Sequence, residues 1–442
     1  MAAQPESISI GGRLRCAAGS QPRPVWMLML AVIVIWIGRG MVIPFTIIYF
    51  TQIVGLKGSL VGGGIAAASV IGLLAVTITA GLIDRFGGKP VLMISICFMG
   101  IAYMLLAWAQ SVAPYLAFTM IFYIASQSYW PAIDSLTSSI ARPQNVIASF
   151  SMVRVGNAVG IGLGGLVGGV MVSGGGLSEY RAMFTIGGGL FLVGALLIWF
   201  LVPAPKEVHY EDDDPNESLG WSRVLRDRTF MYAMVLLFIL VLGFTQMNMS
   251  VPPFLRGEAG AGEGFIGFLF FLNMLVVIAL QVPIASRVDR GNAGLLLSVA
   301  AVSWAAAFGF MMLTVDALSA AYLVFAMFTL GELLFMPLSA VFAIRLAPRR
   351  LRGRYFSLLS MTWGGSAAIA TLVAGWVQDA DDPAIIWPIM AGIMVFAAIG
   401  ALRLRSSERL RFGEPRSSVD SPLPAIAVAS ERPPEQQGRI IS

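Results

Sequence analysis

The chain has 442 residues, 57% of them hydrophobic and 12% charged, with 29 Lys+Arg against 24 Asp+Glu and a formal net charge of +5. A soluble domain carries roughly 25% charged residues, and a soluble chain of this length still has to clothe its domains in polar surface; a soluble enzyme, a disordered chain and a disulfide scaffold are therefore excluded. Cys16 and Cys97 are too few and too far apart for a metal site or a bridge framework, and the single histidine, His209, lies in a polar stretch, so no metal and no cofactor is expected.

In chain order, residues 1–24 are polar, hold Arg13, Arg15 and Arg23, and lack the cleavage pattern of a signal peptide; they form an N-tail. A membrane helix needs about 20 mostly apolar residues. The first such segment runs over 26–52 with Arg39 inside it. Uncharged segments follow at 58–83, 90–133, 155–178, 182–205, 229–255, 264–286, 291–315, 355–378 and 383–402. The 90–133 stretch is too long for one helix and breaks at Gln110-Ser111-Val112-Ala113-Pro114, and a further span over 318–344 carries Glu332. The spans number twelve. Strands of a membrane barrel are about ten residues long and alternate in polarity, whereas these segments are continuously apolar. The fold class is an all-α membrane protein of twelve transmembrane helices in two pseudo-symmetric six-helix bundles.

Residues 204–227, with Glu211-Asp212-Asp213-Asp214-Pro215, form the long polar break and predict a cytoplasmic linker between bundles at 25–203 and 228–403. The tail at 404–442 is rich in Arg, Pro and Ser and is expected to be disordered. Cytoplasmic loops carry an excess of Lys and Arg. With both termini inside, Lys57, Arg181 and Arg256 are the basic residues left in outer loops, and Arg39 and Arg154 lie within spans; all the others fall inside. This bias explains the net charge without nucleic acid. It predicts a multi-pass protein of the inner (cytoplasmic) membrane.

The halves match at a shift near 206 residues. Pro131, Ala141, Phe150, Ser151 and Gly169 align with Pro337, Ala347, Phe356, Ser357 and Gly375; Ala80, Asp84, Arg85 and Leu92 align with Ala285, Asp289, Arg290 and Leu297; Met41 and Pro44 align with Met249 and Pro252. Two six-span repeats in parallel orientation describe a transporter whose site lies at the midplane between them.

The loop after the second span runs Gly81-Leu82-Ile83-Asp84-Arg85-Phe86-Gly87-Gly88-Lys89-Pro90. Glycines let the chain turn tightly, Asp84 can accept hydrogen bonds from a helix N-terminus, and Arg85 and Lys89 anchor the inner face. This resembles the loop signature of the Major Facilitator Superfamily, with Gly81, Asp84, Arg85, Gly87 and Lys89 at the matching spacing. The resemblance implies that the loop latches an outward-open state. The fifth span holds Gly160, Gly164, Gly165, Gly168 and Gly169 and resembles the antiporter signature of the family's drug:H+ branch, with Gly165 where that pattern has proline. Glycines four apart also let helices pack closely, so Asn157, Gly160, Gly164, Gly168 and Gly169 are expected at a packing face. Arg39-Gly40-Met41 with Pro44-Phe45, and Arg154 with Asn157 and Gly160, resemble the same branch. The arginine that branch often has in its fourth span is absent, and the charge there is Asp134. The resemblance covers about 25–403.

Four ionisable residues lie within spans, and each costs at least roughly 2.5–3.5 kcal/mol at a bilayer centre unless paired or watered. Asp134 and Arg154 sit toward the inner ends of neighbouring spans and predict a structural or gating ion pair, with direct proton handling as the alternative. Glu332 lies mid-span with no opposite charge within reach on its own helix. Loss of water favours the neutral form of a carboxyl, and such a group can load and unload protons as a cavity changes sides; a static pair with Arg39 and a permanently protonated filler are the alternatives. Helical spacing puts Trp36, Arg39, Thr46 and Tyr49 near one face, where Arg39 can balance Glu332, bind an anionic substrate group or snorkel to the lipid side. Gln127, Tyr129, Trp130, Gln246, Asn248 and Asn273 are candidate cavity polar groups or interhelical hydrogen-bond partners. Phe328, Phe335 and Met336 flank Glu332 and offer either an adaptable wall for lipophilic ligands or ordinary packing.

These residues and the resemblance imply a secondary active transporter, not an enzyme. It would act as a monomer and export small amphipathic or lipophilic molecules, drug-like compounds or metabolites, in exchange for protons by alternating access. Membrane lipids and protons are its other partners. An uptake symporter of the same fold and a non-transporting sensor are the rivals. No Gly-rich Lys-Ser/Thr phosphate loop is present, which argues against direct coupling to ATP.

Overall fold

The computed structural model describes residues 22–142, 146–203, 224–288, 292–346 and 352–404. They form twelve long helices: α1 (Arg23–Ile53), α2 (Gly58–Phe86), α3 (Gly88–Leu106), α4 (Val112–Ile140), α5 (Val146–Met171), α6 (Leu177–Leu201), α7 (Arg228–Gly257), α8 (Glu263–Val288), α9 (Ala293–Met311), α10 (Ala320–Leu346), α11 (Arg352–Gln378) and α12 (Pro383–Arg403). Among the described residues there is no β-strand. Eleven of the helices contain a stretch long and apolar enough to cross a membrane. The exception, α4, is as long as α2 at 29 residues, but Ser126, Gln127, Ser128, Asp134, Ser135 and Thr137 dilute its apolar character. The expected N-tail and C-tail and most of the linker lie outside the described residues, as do the repeat positions Asp289, Arg290 and Ala347.

Within the first six helices, α1 packs on α5 and α6, α3 on α4 and α6, and α2 on α4. The second six repeat this set, with α7 on α11 and α12, α9 on α10 and α12, and α8 on α10. Two large contacts join the halves, α2 with α11 and α5 with α8, and the repeat relates one to the other. By contrast α1 touches α4 only lightly, as α7 touches α10. In each half the first and fourth helices are therefore not direct packing partners.

The prolines of the repeat mark equivalent irregularities. Proline cannot donate within a helix and crowds the preceding turn. At Pro44, α1 tightens into a 3-10 turn (Ile43–Phe45) and then widens into a π turn (Tyr49–Ile53). At the equivalent Pro252, α7 restarts after Ser250 as the short Val251–Gly257 segment. These end pieces of α1 and α7 touch across the halves. Pro131 and Pro337 both lie inside their helices, α4 and α10. On the outside, Leu74, Ile78, Phe200 and Phe396 are each two thirds or more exposed, which fits hydrocarbon rather than water as their surroundings.

Candidate functional site

The halves are closed at the end that carries the α1–α2, α5–α6, α7–α8 and α11–α12 loops. Glycines make this closure. A Cβ on Gly169 of α5 would lie 2.6 Å from the Glu263 carbonyl and 2.9 Å from the Gly267 Cα of α8. At the equivalent crossing, a Cβ on Gly375 of α11 would lie 2.8 Å from the Gly62 Cα of α2 and would strike the Gly58 carbonyl. Gly169 and Gly375 are equivalent under the repeat, as are Gly62 and Gly267 one residue earlier in shift. Without side chains the backbones approach closely enough for dispersion and weak Cα–H···O contacts.

Polar groups tie the same end. Gln52 Nε2 donates to the Pro253 carbonyl at 3.2 Å, and Arg256 Nη1 donates to Gln52 Oε1 at 2.7 Å. Arg256 Nε pairs with Glu263 Oε1 at 2.7 Å, and Tyr180 of the first half donates to that same oxygen at 3.1 Å. Glu263 is buried, so its charge is satisfied by these partners rather than by water. Asp379, just past α11, accepts from the Gly58 and Ser59 amides at 2.6 and 2.8 Å. A carboxylate from one half thus caps the N-terminus of a helix in the other. Burial alone pushes the Asp379 carboxyl up, but the bonds from Ser59 and Gly58 and the Lys57 charge outweigh it and hold it below its ordinary value. A depressed carboxyl stabilises its bonded state above the ordinary pKa and loses that contribution only as pH falls through the depressed one. The cap is therefore at full strength through neutral and mildly acid pH. Asp379→Ala is expected to cost the closed arrangement about 1 kcal/mol. In a background without Cys16 and Cys97, maleimide labelling of Leu56→Cys should then rise roughly fivefold, by the same factor between about pH 6 and 8.

The two anticipated charges take separate partners. Glu332 of α10 accepts from Asn273 Nδ2 of α8 at 3.0 Å, and the same amide donates to Thr329 Oγ1 at 2.8 Å. Thr329 in turn donates to the Phe325 carbonyl at 2.6 Å, which fixes the direction of the chain of bonds. Met274, next to Asn273, meets Gly162 of α5, so the acid lies one helix from the seam between the halves. Arg39 donates from Nη1 to Ser126 Oγ of α4 at 2.8 Å and lies over the Trp36 and Phe122 rings, 4.9 and 5.6 Å from their centroids. Arg39 and Glu332 make no ion pair: among the described residues no carboxylate lies within 4 Å of the Arg39 guanidinium, and no cation lies within 4 Å of the Glu332 carboxyl. The reason is that each group is held by a neighbour within its own half.

Trp36 donates to the Tyr129 hydroxyl at 3.0 Å and packs on Trp130 at 5.4 Å. Trp130 in turn stacks under Arg154 at 4.5 Å. Arg154 and Asp134 do meet, Nη2 to Oδ1 at 3.4 Å, with side chains 51% and 40% exposed. A pair that open is worth under about 1 kcal/mol. Asp134→Asn with Arg154→Gln is therefore expected to reduce flux less than the worse single variant, a comparison that a double-mutant cycle measures directly.

The other candidate wall residues take several places. Tyr49 stacks on Tyr180 of α6 and donates to the Ala107 carbonyl. Gln246 is fully buried, donating to the Ala370 carbonyl of α11 and accepting from Ser250. Phe328 and Phe335 are buried against Trp304 of α9. Asn248 and Met336 are half-buried, and Gln127 is half-buried opposite Gly72. On α5, Gly160, Gly164 and Gly168 meet Trp36, Ile37 and Met41 of α1, while Gly165 and Gly169 face α8 and Asn157 is buried. In the α2–α3 loop Gly87 takes φ +81°, a conformation suited to glycine. Lys89 donates to the Trp199 and Val202 carbonyls at 3.1 and 2.6 Å, closing the C-terminus of α6. Arg85 stacks on Phe86, Gly81 meets no neighbour, and the Asp84 side chain lies outside the described residues.

Two six-helix repeats with matching packing, each holding within its spans a charged group that no ion pair neutralises, are the features of a membrane transporter. The family model of the Major Facilitator Superfamily matches residues 28–371 and 237–434. The chain belongs to the Major Facilitator Superfamily, which is not an enzyme class. It is 23% identical over 408 residues to the "Uncharacterized MFS-type transporter YqjV" of Bacillus subtilis (strain 168), covering 90% of this chain and 97% of that one. It is likewise 23% identical over 386 residues to the "Multidrug resistance protein MdtH" of Proteus mirabilis (strain HI4320), covering 83% and 91%. A crystal structure of a peptide transporter, POT, in complex with sulfate superposes with a TM-score of 0.70 at 14% identity, over 90% of this chain and 99% of that one.

Proposed function

We propose that the protein exports small amphipathic molecules in exchange for protons. The observation that carries this is Glu332, a carboxyl at the chamber whose hydrogen-bond partner is the neutral Asn273 amide and not a cation. An acid so placed can exchange a proton with whichever side the chamber faces. Substrate taken from the cytoplasm is carried out as the halves rock, and a proton taken up by Glu332 outside and released inside drives the return of the emptied halves. One charge moved through 100 mV supplies about 2.3 kcal/mol, and a pH difference adds to it. The excess of Lys and Arg in the loops at the linker end supports an orientation with that end and both termini inside. The glycine-sealed end then faces outward, and the chamber's access is cytoplasmic. The kinship with the Proteus multidrug resistance protein favours export over uptake.

The test is purified protein in liposomes under an imposed pH gradient, with neutral, cationic and anionic naphthalene derivatives as probes. Flux that follows the gradient and collapses with a protonophore is expected. Gradient-independent flux removes the proton coupling, and binding without flux makes the protein a sensor. In intact cells, loss of the protein should raise internal probe; a fall would make it an uptake symporter.

A further inference from the structure

Arg39 is a charged group within a span whose bonding is incomplete. A guanidinium has five N–H donors in a planar fork. Here Nη1 donates to Ser126, while Nε is buried and has no hydrogen-bond partner. A buried donor left unmade is costly, the more so on a charged group. The guanidinium is held in place by Ser126 and by the rings of Trp36 and Phe122, so it does not need a counter-ion to fix its position. No carboxylate among the described residues lies within 4 Å of it. The Nε side of the fork is the edge that receives a carboxylate with two parallel bonds. Trp36, itself buried, packs on Trp130, whose face carries Arg154. The arrangement is a row of packed aromatic rings with a cation at each end.

We infer that Arg39, with Trp36 and Phe122, forms the subsite for an anionic group of the substrate, and that the transported class is aromatic molecules bearing a carboxylate or sulfonate. The anion takes the Nε edge of the guanidinium and the aromatic body lies along the Trp36–Trp130 surface. Glu332, held by Asn273 in the other half, is left free for the proton. This assignment rests on the chamber being a transport site, and it names the charge of what the chamber takes.

The experiment uses the full chain in detergent and two probes of like shape, 2-naphthoate and 2-naphthamide. Saturable binding is measured by equilibrium dialysis against detergent-matched buffer. Wild type is expected to bind naphthoate at least tenfold tighter than naphthamide. Arg39→Gln should bring the two together by weakening naphthoate alone, and Arg39→Lys, which keeps the charge but not the fork, should retain part of the preference. Unchanged naphthamide affinity and a monodisperse elution profile show that each variant is folded. The wild-type comparison needs no variant and stands if Arg39→Gln does not fold. Equal affinities in wild type, or a preference that survives Arg39→Gln, overturn the inference. Gradient-driven flux of a neutral or cationic probe together with equal affinities would overturn the anionic subsite alone. Tight naphthoate binding with no flux of any probe would instead leave the subsite standing and remove transport.

Discussion

Glu332→Gln should lower gradient-driven flux to the level of protein-free liposomes, at least tenfold below wild type. Glutamine has nearly the same shape, and its carbonyl oxygen can still accept from Asn273, so the Asn273–Thr329–Phe325 chain of bonds survives. What it removes is the proton site. The variant should therefore still bind a probe and still allow exchange of labelled for unlabelled probe, because those steps need the chamber but not the proton. Loss of binding as well would mean that the carboxylate touches substrate. Gradient-driven flux equal to wild type would remove Glu332 from the coupling and would require another carrier for the proton. Asp134 is a weaker choice for that role because Arg154 already lies beside it and both side chains are open.

The fold was legible because the membrane imposes it. Spanning backbone must satisfy its own hydrogen bonds, so each long uncharged segment had one plausible form. The repeat could be seen in a handful of residues, and Pro44 and Pro252 end up at equivalent breaks in α1 and α7. Which neighbour a side chain meets was harder to read. Tyr49, ten residues past Arg39, stacks on Tyr180 of α6. Gln246, Phe328 and Phe335 have the chemistry of a cavity wall, but helical period alone does not say which neighbour a face meets, and here α9 and α11 take them. The closing network of Gln52, Arg256, Glu263 and Asp379 was missed altogether, since residues in separate loops carry no shared spacing. A signal did exist for the glycine crossings: the repeat that aligned Gly169 with Gly375 also aligns Gly62 with Gly267, and glycines conserved between halves at matching helices mark matching contacts.

Those crossings make the sharpest mechanical prediction. Gly169→Leu places its first side-chain carbon 2.6 Å from the Glu263 carbonyl and 2.9 Å from the Gly267 Cα, where only backbone stands and no flexible side chain can yield. Relief requires α5 and α8 to separate at the closed end, and overpacking of this kind costs typically 1–3 kcal/mol. The cost falls on the closed arrangement and not on one in which that end has parted, so the equilibrium shifts by roughly five- to 150-fold toward opening. Leu56→Cys, in the background lacking Cys16 and Cys97, should label with maleimide faster by that factor, and transport should fall at least tenfold because one half of the cycle is disfavoured. Gly375→Leu should do the same through α2 and α11, since the repeat makes it the same contact. Gly392→Leu in α12 is the control: a Cβ there meets nothing within 4 Å, and it should leave labelling and flux unchanged. If Gly169→Leu behaved like Gly392→Leu, the α5–α8 crossing would not be a moving contact. The halves would then have to open about some other line.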